Sequence, residues 1–142
     1  MSREGLVRSC LVLGGVCTSC TGLYHFFLPT QFHWAEYVHG APETIWAMFA
    51  MNAMLSFLMT WGGLTTIYIA VKRDAFGVTA RFVTLGMAVF WIFNAGYQAL
   101  RPPPFPAVLR IGFQALAIFI ALVYLIAFSA SQIQKQSAAG GD

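Results

Sequence analysis

The sequence predicts an all-α integral membrane protein, a four-transmembrane-helix up-down-up-down bundle with a short interfacial helix between the first two spans. Three observations lead there. Thr44–Val71 runs for 28 residues without a charge, between Glu43 and Lys72-Arg73-Asp74. At about 1.5 Å per residue, a helix of that length exceeds the roughly 30 Å hydrocarbon core of a bilayer. Three further segments, about 5–28, 77–100 and 107–130, have the same character. Finally, 9% of residues are charged, 58% are hydrophobic and 15% are aromatic, with a mean hydropathy of +0.69. Soluble domains carry about 25% charged residues. The 142 residues therefore read as a single membrane domain.

The first segment, about 5–28, follows Arg3 and carries Arg8, a pattern that imitates a signal peptide. A lipoprotein cleavage site needs a small residue before its cysteine. Cys17 follows Val16, and Cys20 lacks the usual aliphatic residue three positions earlier. A retained transmembrane helix is expected, ended by Pro29-Thr30. Thr30 is placed to cap a short interfacial helix over 30–40 that stops at Gly40. Phe32, Trp34 and Tyr37, mixed with His33, Glu36 and His39, suit the headgroup level. Pro42 and Glu43 then open the second span, 44–71, as a first-turn proline and an acidic group at a positive helix end.

One face of the second span reads Asn52, Ser56, Met59, Gly63 and Thr66. In lipid, small and weakly polar side chains mark the side that meets other helices. Gly15, Ser19 and Gly22, spaced four and three apart on the first span, are the expected counterpart. Asn52 needs a partner, and Asn94 of the third span or the hydroxyls of the first are the candidates. Asn94 and Gln98 share a face of the third span, which ends at the stiff corner Arg101–Pro106. The fourth span, about 107–130, carries Arg110, Gln114 and Tyr124 and gives way to a polar tail, 131–142.

Orientation follows from lysine and arginine. Arg3, Arg8, Lys72, Arg73, Arg81 and Lys135 fall on one side, Arg101 and Arg110 on the other. Six of eight on one side puts both termini in the cytoplasm of a bacterial-type inner membrane. The net charge of +3 is small and dispersed, which argues against nucleic-acid binding.

Four constellations bear on chemistry. Cys17-Thr-Ser-Cys20 is a CxxC, but Cys20 lies nine residues before Pro29, about 13 Å below the helix end. Thiol exchange needs a thiolate and a partner thiol, and Cys10 has no second cysteine to pair with, so Cys17 and Cys20 are expected to be packing residues rather than a redox pair. His33, Glu36 and His39 would lie along one side of a short helix as candidate metal ligands, near His25 and Glu43. A di-iron bundle site needs a second ExxH and two more carboxylates, and of the five acidic residues Glu4, Asp74 and Asp142 are placed elsewhere. His25 is the one histidine inside a span and so the candidate single axial ligand for a haem or pigment. Asn52, Ser56 and Asn94 are candidates to line a lipid or quinone site. No carboxylate lies within a span, which argues against proton-coupled transport. Phosphate loops, nucleophilic triads and paired catalytic carboxylates are absent from the sequence.

The leading expectation is a non-catalytic accessory or structural subunit of a larger hetero-oligomeric membrane complex, touching other integral membrane subunits and lipids. No covalently attached cofactor is expected, and the candidates for a bound molecule are a lipid, a quinone or a pigment. The alternatives are a small membrane redox protein and a lipid- or quinone-binding protein.

Overall fold

The computed structural model describes residues 2–37, 39–72, 77–103 and 106–139, and for Tyr37 and 133–139 the backbone only. The expectations for Arg73-Asp74, the Pro104-Phe105 part of the corner, the side chain of Lys135 and the last three residues lie outside the described residues. The described residues are helical, with no strand, and four helices are long and apolar enough to cross a membrane. They are α1 (Arg3–Gln31), α3 (Pro42–Val71), α4 (Val78–Leu100) and α5 (Ala107–Ala139), with the four-residue α2 (Trp34–Tyr37) between the first two.

Local chemistry sets the ends. Ser2 caps α1, its Oγ accepting from the Gly5 N–H at 3.1 Å, and Glu4 in the first turn pairs with Arg8 one turn on. α1 does not stop at Pro29: the proline sits inside the helix, which continues to Gln31. The chain breaks at His33, whose φ of 50° is left-handed and cannot continue a helix. Pro42 opens α3 where its missing N–H costs nothing, with exposed Glu43 behind it. α4 begins after an extended Gly77 and closes with the Arg101 N–H on the Tyr97 carbonyl at 2.8 Å, before Pro102 and Pro103.

The chain divides into two compact units, Gly15–Thr65 and the remainder, Met1–Gly14 with Thr66–Asp142. In the second, α4 buries Ala80, Thr84, Ala88, Trp91 and Ala95, spaced three or four apart along one face. α5 buries Ala117, Ile120, Ala121, Tyr124 and Ala127 at the same spacing. Alanines along such a seam let two backbones approach, which matters where lipid removes most of the hydrophobic reward for association. Outward faces carry Phe82, Phe93, Val108 and Ile111, all more than half exposed.

Candidate functional site

The polar side chains inside the spans are the place to seek function. In the Gly15–Thr65 unit they lie along the α1–α3 contact. A Cβ on Gly22 would stand 2.6 Å from the Thr60 nitrogen and 2.8 Å from the Ser56 carbonyl. One on Gly63 would collide with Ser19 Oγ and stand 2.7 Å from the Ser19 nitrogen. Ser19 Oγ donates to the Thr60 carbonyl at 3.2 Å, and Asn52 Nδ2 donates to the His25 carbonyl at 2.9 Å. As α1 numbers rise through 19, 22 and 25, their partners fall through 60, 56 and 52, so the two helices run antiparallel within this unit.

The Asn52 bond has a specific cause. In an α-helix the N–H of residue 29 would donate to the carbonyl of residue 25. Pro29 has no N–H, so the His25 carbonyl is left without its helical donor. In hydrocarbon an unsatisfied backbone group costs several kcal/mol. Asn52 supplies the missing donor from the neighbouring helix, and α1 persists for two residues beyond the proline. This corrects two expectations: Pro29 does not end α1, and the partner of Asn52 is neither Asn94 nor a hydroxyl of α1. Asn94 accepts instead from Gln98 Nε2, one turn along its own helix, at 2.6 Å.

The hydroxyls of Ser56 and Thr60 bond along their own helix. Ser56 Oγ donates to the Asn52 carbonyl at 2.6 Å and Thr60 Oγ1 to the Ser56 carbonyl at 2.8 Å. Ser56 is fully buried, so it does not line an open ligand site. In the other unit, Tyr124 is fully buried, with its hydroxyl 3.1 Å from Thr66 Oγ1. Its ring lies where Gly14 leaves room, since a Cβ there would be 3.0 Å from the ring. Gln114 Nε2 donates to the Ala95 carbonyl at 3.0 Å, tying α5 to α4.

The candidate ligands are arranged differently from their sequence spacing. α2 holds only Glu36 of the three, with His33 before it in left-handed conformation and His39 after it. Without a common helix the i, i+3, i+6 alignment does not arise. His33 Nδ1 and Glu36 Oε1 lie 3.5 Å apart on exposed side chains. Among the described residues no three His, Cys, Asp or Glu groups converge as a metal site would require. Cys10, Cys17 and Cys20 are free thiols. Cys20 is exposed, about 100° round the helix from buried Ser19, so it is not part of the packing face to which the sequence assigned it. His25 is half-buried, and its backbone carbonyl accepts from Asn52.

Sequence reasoning missed the pairing of Pro29 with Asn52 and the seating of Tyr124 against Gly14 and Thr66. The first had a readable signal: a proline within a span orphans the carbonyl four residues earlier, and an amide stands at matching depth on the next span. The second had none, because its members are far apart in the chain.

No protein-family model, curated protein or solved structure matches the chain.

Proposed function

We propose that this chain is a non-catalytic accessory or structural subunit of a larger membrane complex, supplying helix-packing and lipid- or pigment-contacting surface. In this reading the four long helices cross the membrane up-down-up-down, with both termini in the cytoplasm of a bacterial-type inner membrane. α2 lies at the opposite interface. The positive-inside count supports the orientation. The Trp34 ring, edge-on to Phe49 at 5.8 Å, supports a docked interfacial segment.

One observation carries the functional reading: in-span polar groups are used to hold helices together. Asn52 replaces a lost backbone donor, Ser19 and Gln114 bond across to neighbouring backbones, and Tyr124 meets Thr66. Such groups specify a fold rather than turn over a substrate. Outward, Trp46, Met51, Met54, Trp61 and Tyr68 are each more than 60% exposed, an adaptable surface for neighbouring subunits and acyl chains. Purification from native membranes in mild detergent tests the proposal. The expected result is a stable assembly containing other integral membrane proteins; an isolated chain with thiol, quinone or metal-dependent activity would overturn it.

A further inference from the structure

The tryptophans occupy different settings along the spans. Trp34 on α2 and Trp46, one turn into α3, stand near helix ends, where water or headgroups can accept from an indole N–H. Trp91 is buried. Trp61 is 62% exposed, ten residues before the end of α3, and its indole N–H has no acceptor among the described residues. At 1.5 Å per residue it lies about 15 Å in from that end, near the middle of a roughly 30 Å hydrocarbon core. Its ring is nearly parallel to that of Phe57, one turn earlier on the same helix, at an interplanar angle of 7° and a centroid distance of 6.3 Å. Phe57 is 58% exposed.

A donor in hydrocarbon is costly unless something accepts from it, and an indole has no flexible stem with which to carry its N–H to the surface. Acyl chains hold no acceptor, and lipid ester carbonyls sit at the interface, about half a core thickness away. A second helix is a poor fit. Its carbonyls are already bonded to its own N–H groups and lie close to its axis, behind its side chains. Reaching them needs close backbone approach through small residues. α3 offers that at Gly63, against α1, whereas around Trp61 it presents exposed Met54, Leu58 and Leu64. A flat ring needs no such approach. It can lie against the parallel aromatic faces, with one carbonyl accepting from the indole N–H.

We infer that Phe57 and Trp61 form a mid-membrane binding platform for a planar, carbonyl-bearing lipophile of the quinone class. The rings supply the contact surface, the Trp61 N–H supplies the one polar contact, and Met54 adapts to the edge of the ligand. This site lies on the outer side of α3 and is separate from the inner stripe of Asn52 and Ser56. The inference rests on the transmembrane placement of α3 proposed above and is independent of the subunit reading.

Proton–nitrogen correlation spectra of the full chain in phosphatidylcholine nanodiscs test it, because each tryptophan gives one indole N–H peak. Trp61→Phe assigns the peak, and a lipid spin-labelled at the end of its acyl chain should broaden that peak in the wild-type protein. Ubiquinone should move the Trp61 proton downfield and saturably. Squalene, an isoprenoid without a carbonyl, should leave it in place. Phe57→Leu should weaken the ubiquinone response by about two- to tenfold, the range for loss of one aromatic contact. Equal movement with squalene overturns the inference, and so does the absence of any ubiquinone-specific indole shift in the wild-type chain, even if a variant fails to fold. Movement that follows the number of chains per disc also overturns it, assigning Trp61 to contact with a second copy. A Trp61 peak left sharp by the spin label refutes the membrane placement on which the site rests. Quinone binding without turnover leaves the subunit reading standing.

Discussion

Glycine 63 and glycine 86 separate what packing demands from what composition allows. Both lie in long apolar helices, but a Cβ at Gly63 meets Ser19 and the Gly15 carbonyl, while one at Gly86 meets nothing within 4 Å. The obstacles at Gly63 are largely backbone and cannot rotate away. Gly63→Ala or Gly22→Ala should therefore destabilise by about 1–3 kcal/mol, and Gly63→Leu should abolish folding. Gly86→Ala should stay within about 0.5 kcal/mol. Unfolding in mixed detergent, followed by circular dichroism, checks the contrast. Asn52 offers a sharper test, since Pro29→Ala restores the N–H that the His25 carbonyl lacks. Asn52→Leu should cost about 1–2 kcal/mol in the natural chain and clearly less beside Pro29→Ala. Additive losses in that double-mutant cycle would refute the assignment of Asn52 as a substitute donor. The small-residue stripe was legible because lipid leaves few ways to join helices, and Gly15, Ser19, Gly22, Ser56 and Gly63 meet one another. Asn52 was legible as a residue in need of a partner. Its partner is readable only through Pro29 on the other helix, whose missing N–H orphans the His25 carbonyl.

Helices as units show where periodicity informs and where it fails. Buried positions on α1 run Val7, Leu11, Gly14, Gly15, Thr18, Ser19 and Gly22, a single stripe three or four residues apart. Cys20 departs from it by about 100° per residue and faces outward. Grouping the cysteines with neighbouring small residues by composition, rather than by angle, put Cys20 on the wrong face. Replacement of Cys17 and Cys20 together by Ser should leave expression and assembly unchanged, since neither forms a disulfide. Loss of a quinone- or thiol-linked activity in that variant would reinstate the redox reading. Turn signals were weaker guides. Pro29 read as a helix end because proline removes a donor, but a neighbouring helix can restore one. The expected helix over 30–40 is reduced to four residues because His33 takes a left-handed conformation that sequence patterning does not announce.

For the whole molecule, four long apolar helices were readable from composition and length, because crossing hydrocarbon demands both. Topology yields a direct prediction: reporter domains fused after Leu28, Val71, Leu100 and Asp142 should alternate between the two sides of the membrane. Fusions at Val71 and Asp142 on opposite sides would rule out four spans. The seating of Tyr124 also bears on the order of events during synthesis. Ser19, Gly22, Asn52 and Gly63 all emerge early, so the first helical hairpin has its contacts once residue 65 has left the ribosome. Gly14 and Thr66 lack Tyr124 until it is translated, 58 residues after Thr66. At about 5–20 residues per second, that interval is roughly 3–12 s. Throughout it the socket formed by Gly14 and Thr66 stays vacant, a window in which another molecule can reach a surface that the folded chain conceals.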